Sequence, residues 1–208
     1  MPPWCDGFSS DASSSSAGAN WIEDLVLRED VINVWDKWVA HRIPFSDPRT
    51  VTAFNDVGEI LLNGKWVNSV LGGVTAIDTS TRQDDADALV AGTWAMTHQA
   101  SAFVDDLTGP GGVSATLALN GDFWAFILPP VTTDTTPITG GGQFVAAFSA
   151  DSSTRKVQQY LVSDSWARTR VALGGAISPD TGLGQSTENS ATTAVRTAAP
   201  TAQKPDLG

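Results

Sequence analysis

Residues 113–130 read VSATLALNGDFWAFILPP, and they decide the expected fold. Two alternating apolar runs flank Asn120-Gly121. Asn-Gly suits a type I′ turn because both central residues need positive φ. A two-residue loop sets Leu117 opposite Trp124 and Ala115 opposite Phe126. One face then carries Val113, Ala115, Leu117, Leu119, Trp124, Phe126 and Leu128 as core. The other face includes Phe123 and Ile127, which await a cover from another element or another chain. Pro129-Pro130 ends the second strand, since proline cannot donate to a ladder.

The same signal recurs at residues 59–67, EILLNGKWV, where Asn63-Gly64 sets Leu61 opposite Trp66. Further strands are expected at 74–77, 143–150, 157–162 and 166–173, the last three forming a meander. Asn20, with Glu23 three residues on, has capping-box spacing, and the apolar residues from Trp21 to Val39 predict one or two short helices. Residues 88–107 fit either a helix or a strand and are assigned to a helix because acidic Asp84, Asp85 and Asp87 suit its start. The expected fold class is mainly β: an antiparallel β-sandwich or jelly-roll-like body with one or two short helices and extended terminal arms. Residues 1–19 and 177–208 are low-complexity arms around a β-rich domain at 20–176.

Composition narrows the function. The chain has 208 residues, a net charge of −11 and a pI near 4.3. Its 12 basic residues are scattered, which argues against a nucleic-acid partner. Among its acids, 19 are Asp and 4 are Glu, a skew that favours turns. The single cysteine, Cys5, excludes an internal disulfide and reads as a bystander thiol, with an interchain disulfide the sharper alternative. The start MPPWCDGF lacks the pattern of a signal peptide, and no apolar stretch has membrane-spanning length.

No catalytic signature stands out. The two histidines, His41 and His98, lack a nucleophile elbow or zinc spacing, although His98 with a distant aspartate leaves a hydrolase conceivable. The Asp84, Asp85, Asp87 run lacks a calcium-loop pattern. No cofactor and no metal is expected. Partner contacts are assigned to Trp4, Trp66, Phe123 and Ile127, with Trp4 anchoring an arm in a neighbour and Trp66 exposed at a hairpin end.

Asp6-Gly7-Phe8 followed by Gly18-Ala19-Asn20-Trp21 resembles the opening of jelly-roll modules in phage tail proteins and carbohydrate-binding domains. In overall character the chain is similar to structural proteins of virus particles. That resemblance implies a non-enzymatic capsid, decoration or tail component in a virion. It would be made in the host cytoplasm, with arms lacing copies of itself and other structural chains. The alternative is a carbohydrate- or receptor-binding β-sandwich using Trp66, with a glycan as partner.

Overall fold

A computed structural model describes residues 3–9, 16–68, 71–118, 121–131, 137–142, 144–173, 176–178 and 183. Among these the regular structure is helical: α1 (Ser16–Glu29), α2 (Ile32–Val39), α3 (Pro48–Leu61), α4 (Arg82–Val90), α5 (Val104–Thr108), α6 (Ser152–Leu161) and α7 (Asp164–Ala172). Short 3-10 turns cover Gly73–Ala76 and Ser101–Phe103. Among the described residues, extended backbone pairs only through isolated bridges. The expected antiparallel sandwich is therefore corrected.

The core explains the helices. Trp21, Ile22, Leu25 and Val26 line one stripe of α1 and are buried. They pack with Ala53, Val57 and Leu61, which recur every four residues on α3, and with Trp35 of α2. Val26 and Leu27 are almost wholly removed from water, worth about 1.5–3 kcal/mol each. Where one or two short helices are expected after residue 20 there are two, with their break at residues 30–31. The first begins at Ser16, however, so Asn20 lies inside it. Asp47 caps α3 by accepting from the Arg49 N–H at 3.1 Å, and Pro48 takes the first helical position, where its missing N–H costs nothing. Thr81 and Asp84 form a capping box on α4.

The failed hairpins have local causes. Glu59 to Leu61 is the last turn of α3, because Thr50, Ala53, Val57 and Leu61 set a helical period that EILL merely ends. Asn63 then makes a turn of its own: its Oδ1 accepts from Lys65 N–H at 3.1 Å, and its carbonyl accepts from Trp66 N–H at 2.8 Å. Gly72 and Gly73 take positive φ, 115° and 76°, and lead into a 3-10 turn instead of a strand. In the 113–130 stretch, Asn120 lies outside the described residues. The pairing there reduces to one bridge, Leu117 to Phe123, and Trp124 and Phe126 are half exposed instead of core. Residues 88–107 divide: α4 ends at Val90, an extended run follows, and α5 begins at Val104. The expected meander is corrected to α6 and α7, whose N-caps Asp151 and Ser163 fix their starts. Most of the expected C-terminal arm lies outside the described residues.

One extended layer organises the body. Residues 3–9 run between two neighbours, both parallel to them. On one side, Trp4 N–H donates to the Trp66 carbonyl at 2.9 Å and Asn68 N–H donates to the Trp4 carbonyl at 3.2 Å. Further along, the Phe8 and Ser9 N–H groups donate to the Ile77 and Ser80 carbonyls. On the other side, Cys5 N–H donates to the Met96 carbonyl and Met96 N–H to the Pro3 carbonyl, both at 2.9 Å. The chain thus leaves the middle segment, crosses through α1–α3 to one flank, and crosses again through α4 to the other. Parallel neighbours require such helical crossovers.

Candidate functional site

In open parallel layers, ligands bind beyond the carboxyl ends of the extended segments, where successive connections leave in opposite directions. Here that place is the edge beyond Ser9 and His98. Beneath it lies a buried polar network. Asp6 and Asp85 are fully buried. Asp6 Oδ1 accepts from Trp21 Nε1–H at 3.2 Å. Asn68 ties down the Asp6 backbone, its Oδ1 accepting from Asp6 N–H at 3.0 Å and its amide donating to the Asp6 carbonyl at 2.8 Å. Asp85 accepts from the Cys5 thiol at 3.1 Å, and from Gly7 N–H and Gln99 Nε2–H at 3.0 Å each.

Burial pushes the Asp6 carboxyl well above the usual range, helped by the nearby Asp85 charge and opposed by the Trp21 hydrogen bond. Burial likewise raises Asp85, against the hydrogen bonds it accepts from Cys5, Gly7 and Gln99. The Cys5 thiol is pushed up by burial and then by Asp85. Asp6 Oδ2 has no hydrogen-bond partner.

A second group borders the same edge. His98 Nε2 lies 2.6 Å from Asp24 Oδ2, and its ring stacks on Trp21 with centroids 4.4 Å apart. Asp24 Oδ1 accepts from Arg28 Nη1–H at 2.7 Å and from the Thr139 hydroxyl at 3.0 Å. Burial works against the Asp24 charge, but the His98 and Arg28 contacts outweigh it and hold the carboxyl below its usual range. Arg28 also donates to the carbonyls of Leu128 at 2.9 Å and Pro137 at 3.3 Å, tying both residues to α1.

This geometry bears on chemistry. His98 and Asp24 form the orienting half of an acid–base pair, but His98 Nδ1 has no partner and Thr139 addresses Asp24 instead of the imidazole. Among the described residues no cluster of three His, Cys, Asp or Glu side chains is arranged to hold a metal. What this end of the layer offers is hydrogen bonding: the His98–Asp24 pair, with His98 Nδ1 unpartnered, and the Gln99 carboxamide, whose N–H is given to Asp85.

The residues assigned to partner contacts are dispersed. Trp4 is half-buried inside the layer, its ring edge-on to Trp21 at 5.1 Å. Trp66 is 44% exposed at the opposite end of the layer from Ser9. Phe123 packs against the cluster of Ala86, Phe103, Leu107 and Ala115, and Ile127 is partly buried. Cys5 is a free, buried thiol within the network. Sequence reasoning singled out His98 and Asp85 for other roles and missed Asp6, Asp24, Arg28 and Gln99. The signal available was Asp24 and Arg28, four apart on a helix that also carries Trp21.

Comparison with known proteins replaces the virus-particle reading. The chain is similar to the osmoprotective compounds-binding protein GgtB of Synechocystis sp. (strain ATCC 27184 / PCC 6803 / Kazusa), with 30% identity over 178 residues, 85% of this chain and 40% of that protein. It is also similar to the alpha-glucosides-binding periplasmic protein AglE of Rhizobium meliloti (strain 1021), with 27% identity over 164 residues, 76% of this chain and 34% of that protein. The chain thus spans less than half the length of either curated relative. No family model and no solved structure matches it. Both relatives are named as binding proteins, one for osmoprotective compounds and one for alpha-glucosides, the latter as periplasmic. The expectations of a capsid, decoration or tail protein, of a virion location and of partner copies laced by arms are corrected accordingly.

Proposed function

We propose that this chain takes part in binding a small, neutral, polyhydroxylated solute of the α-glucoside or osmoprotectant class, without transforming it. The observation that carries the reading is the parallel layer of residues 3–9, 66–68 and 94–98, with the His98–Asp24 pair and Gln99 at its carboxyl end. Both relatives support it through their names. The chemistry agrees. Neutral hydroxyls are read by amides, hydroxyls and carboxylates, whereas an anionic solute would need a cation, and Arg28 is committed to Asp24 and two carbonyls. His98 has the aspartate but no hydrogen-bonded nucleophile, so binding needs no bond to break.

Calorimetric titration of the full chain with maltose, trehalose and glycine betaine tests this. Heat of binding is expected for an α-glucoside and not for betaine, and Gln99→Ala should weaken it. Absence of heat for both sugars, or an unchanged affinity in Gln99→Ala, would overturn the reading.

A further inference from the structure

The opposite end of the layer carries a second feature. Trp66 stands 44% exposed on a turn that is fixed from several sides. Its N–H donates to the Asn63 carbonyl at 2.8 Å, its carbonyl accepts from Trp4 N–H at 2.9 Å, and Val67 N–H also donates to the Asn63 carbonyl at 3.1 Å. Lys65 N–H is held by Asn63 Oδ1. The indole thus sits on a rigid backbone, unlike a tryptophan on a free loop. Beside it, between this turn and the end of α3, is a shallow concavity of about 580 Å³ lined by Glu59, Leu62, Asn63, Lys65 and Trp66. Glu59 and Lys65 are exposed, and Leu62 is too.

We infer that this concavity is a second carbohydrate platform, taking one terminal pyranose ring of an α-glucan chain, independent of the carboxyl-edge site. A pyranose has an apolar C–H face and a rim of hydroxyls. The Trp66 plate and Leu62 match the face. Glu59 accepts from hydroxyls, Lys65 donates to them, and Asn63 contributes its amide. A purely apolar occupant would strip water from Glu59 and Lys65 without replacing their hydrogen bonds. An anion would meet Glu59 and a chain of net charge −11. The amphiphilic ring is the class that satisfies both halves of the lining. A fixed aromatic plate also loses little freedom on binding.

Native electrophoresis of the full chain through gels containing glycogen tests the assignment. Wild type should be retarded, and Trp66→Ala should weaken the apparent affinity about tenfold or more, while Trp66→Phe retains most of it. Val157→Ala, at an exposed position on α6 outside both sites, should migrate like wild type in glycogen. An unretarded wild type, a Trp66→Ala variant retarded as strongly as wild type, or loss of retardation in Val157→Ala would each overturn the assignment. Should maltose give no heat while Trp66-dependent retardation persists, the edge-site reading fails and the platform stands. Thermal melts of both Trp66 variants show whether each is folded.

Discussion

Replacing Asp6 by Asn should remove one buried carboxyl's share of the protein's pH dependence of stability. Asp6 is fully buried, its Oδ2 has no partner, and its pKa is raised by burial first and by Asp85 second. The groups that act on it are the Asp85 carboxyl and the Cys5 thiol, with the Trp21 indole N–H donating to it. A carboxyl raised in the folded state binds more protons folded than unfolded between its ordinary value and its folded value. Stability is therefore fully present at acid pH and falls as pH rises through that window. One such group imposes a slope of about 1.4 kcal/mol per pH unit inside the window. For a chain of this size that is roughly 3–6 °C of Tm per unit. Asn mimics the neutral acid and carries no proton to lose. The assay is thermal unfolding followed by circular dichroism from pH 4 to pH 8. Wild type should lose Tm with rising pH, Asp6→Asn should lose markedly less, and the two should agree best at pH 4. Equal slopes, or a wild-type Tm that climbs from pH 5 to pH 8, would refute the reasoning.

Other consequences follow from the same contacts. Arg28→Met should cost about 3–5 kcal/mol, because it removes the cationic partner of the largely buried Asp24 and the donor to the Leu128 and Pro137 carbonyls, as denaturant unfolding would show. Gly7→Ala should destabilise severely, since an added Cβ would lie 2.5 Å from the Ser80 carbonyl oxygen and 2.8 Å from that of Thr81; the soluble yield and Tm report it. Thr81→Ala should remove half of the α4 capping box and lower stability by about 1 kcal/mol in urea titration. Cys5 should resist a thiol reagent in the folded chain and react at once in denaturant, because it is 1% exposed and its thiolate is disfavoured by burial and Asp85.

The sequence made the α1–α2 region legible because its apolar spacing is helical and its break carries charged residues. The remainder misled for a shared physical reason. Asn63-Gly64 and Asn120-Gly121 resemble hairpin turns, yet Asn63 serves equally well to close a helix. The deciding period, Thr50 to Leu61, began too far upstream to show inside EILLNGKWV. The extended layer escaped detection because parallel neighbours are distant in sequence: Trp4 pairs with Val67 and Met96, and no short-range pattern encodes that. The site was half visible. His98 and Asp85 stood out as titratable residues, but their partners, Asp24 and Gln99, look like ordinary surface polar residues until the fold brings them together.

The central claim is that solute meets this chain at the carboxyl edge of its parallel layer. Titrating the isotope-labelled chain with trehalose while recording amide proton–nitrogen spectra tests it most directly. The account predicts saturable shifts at Ser9 and at residues 97–101. Shifts absent from those amides at saturating sugar would contradict it.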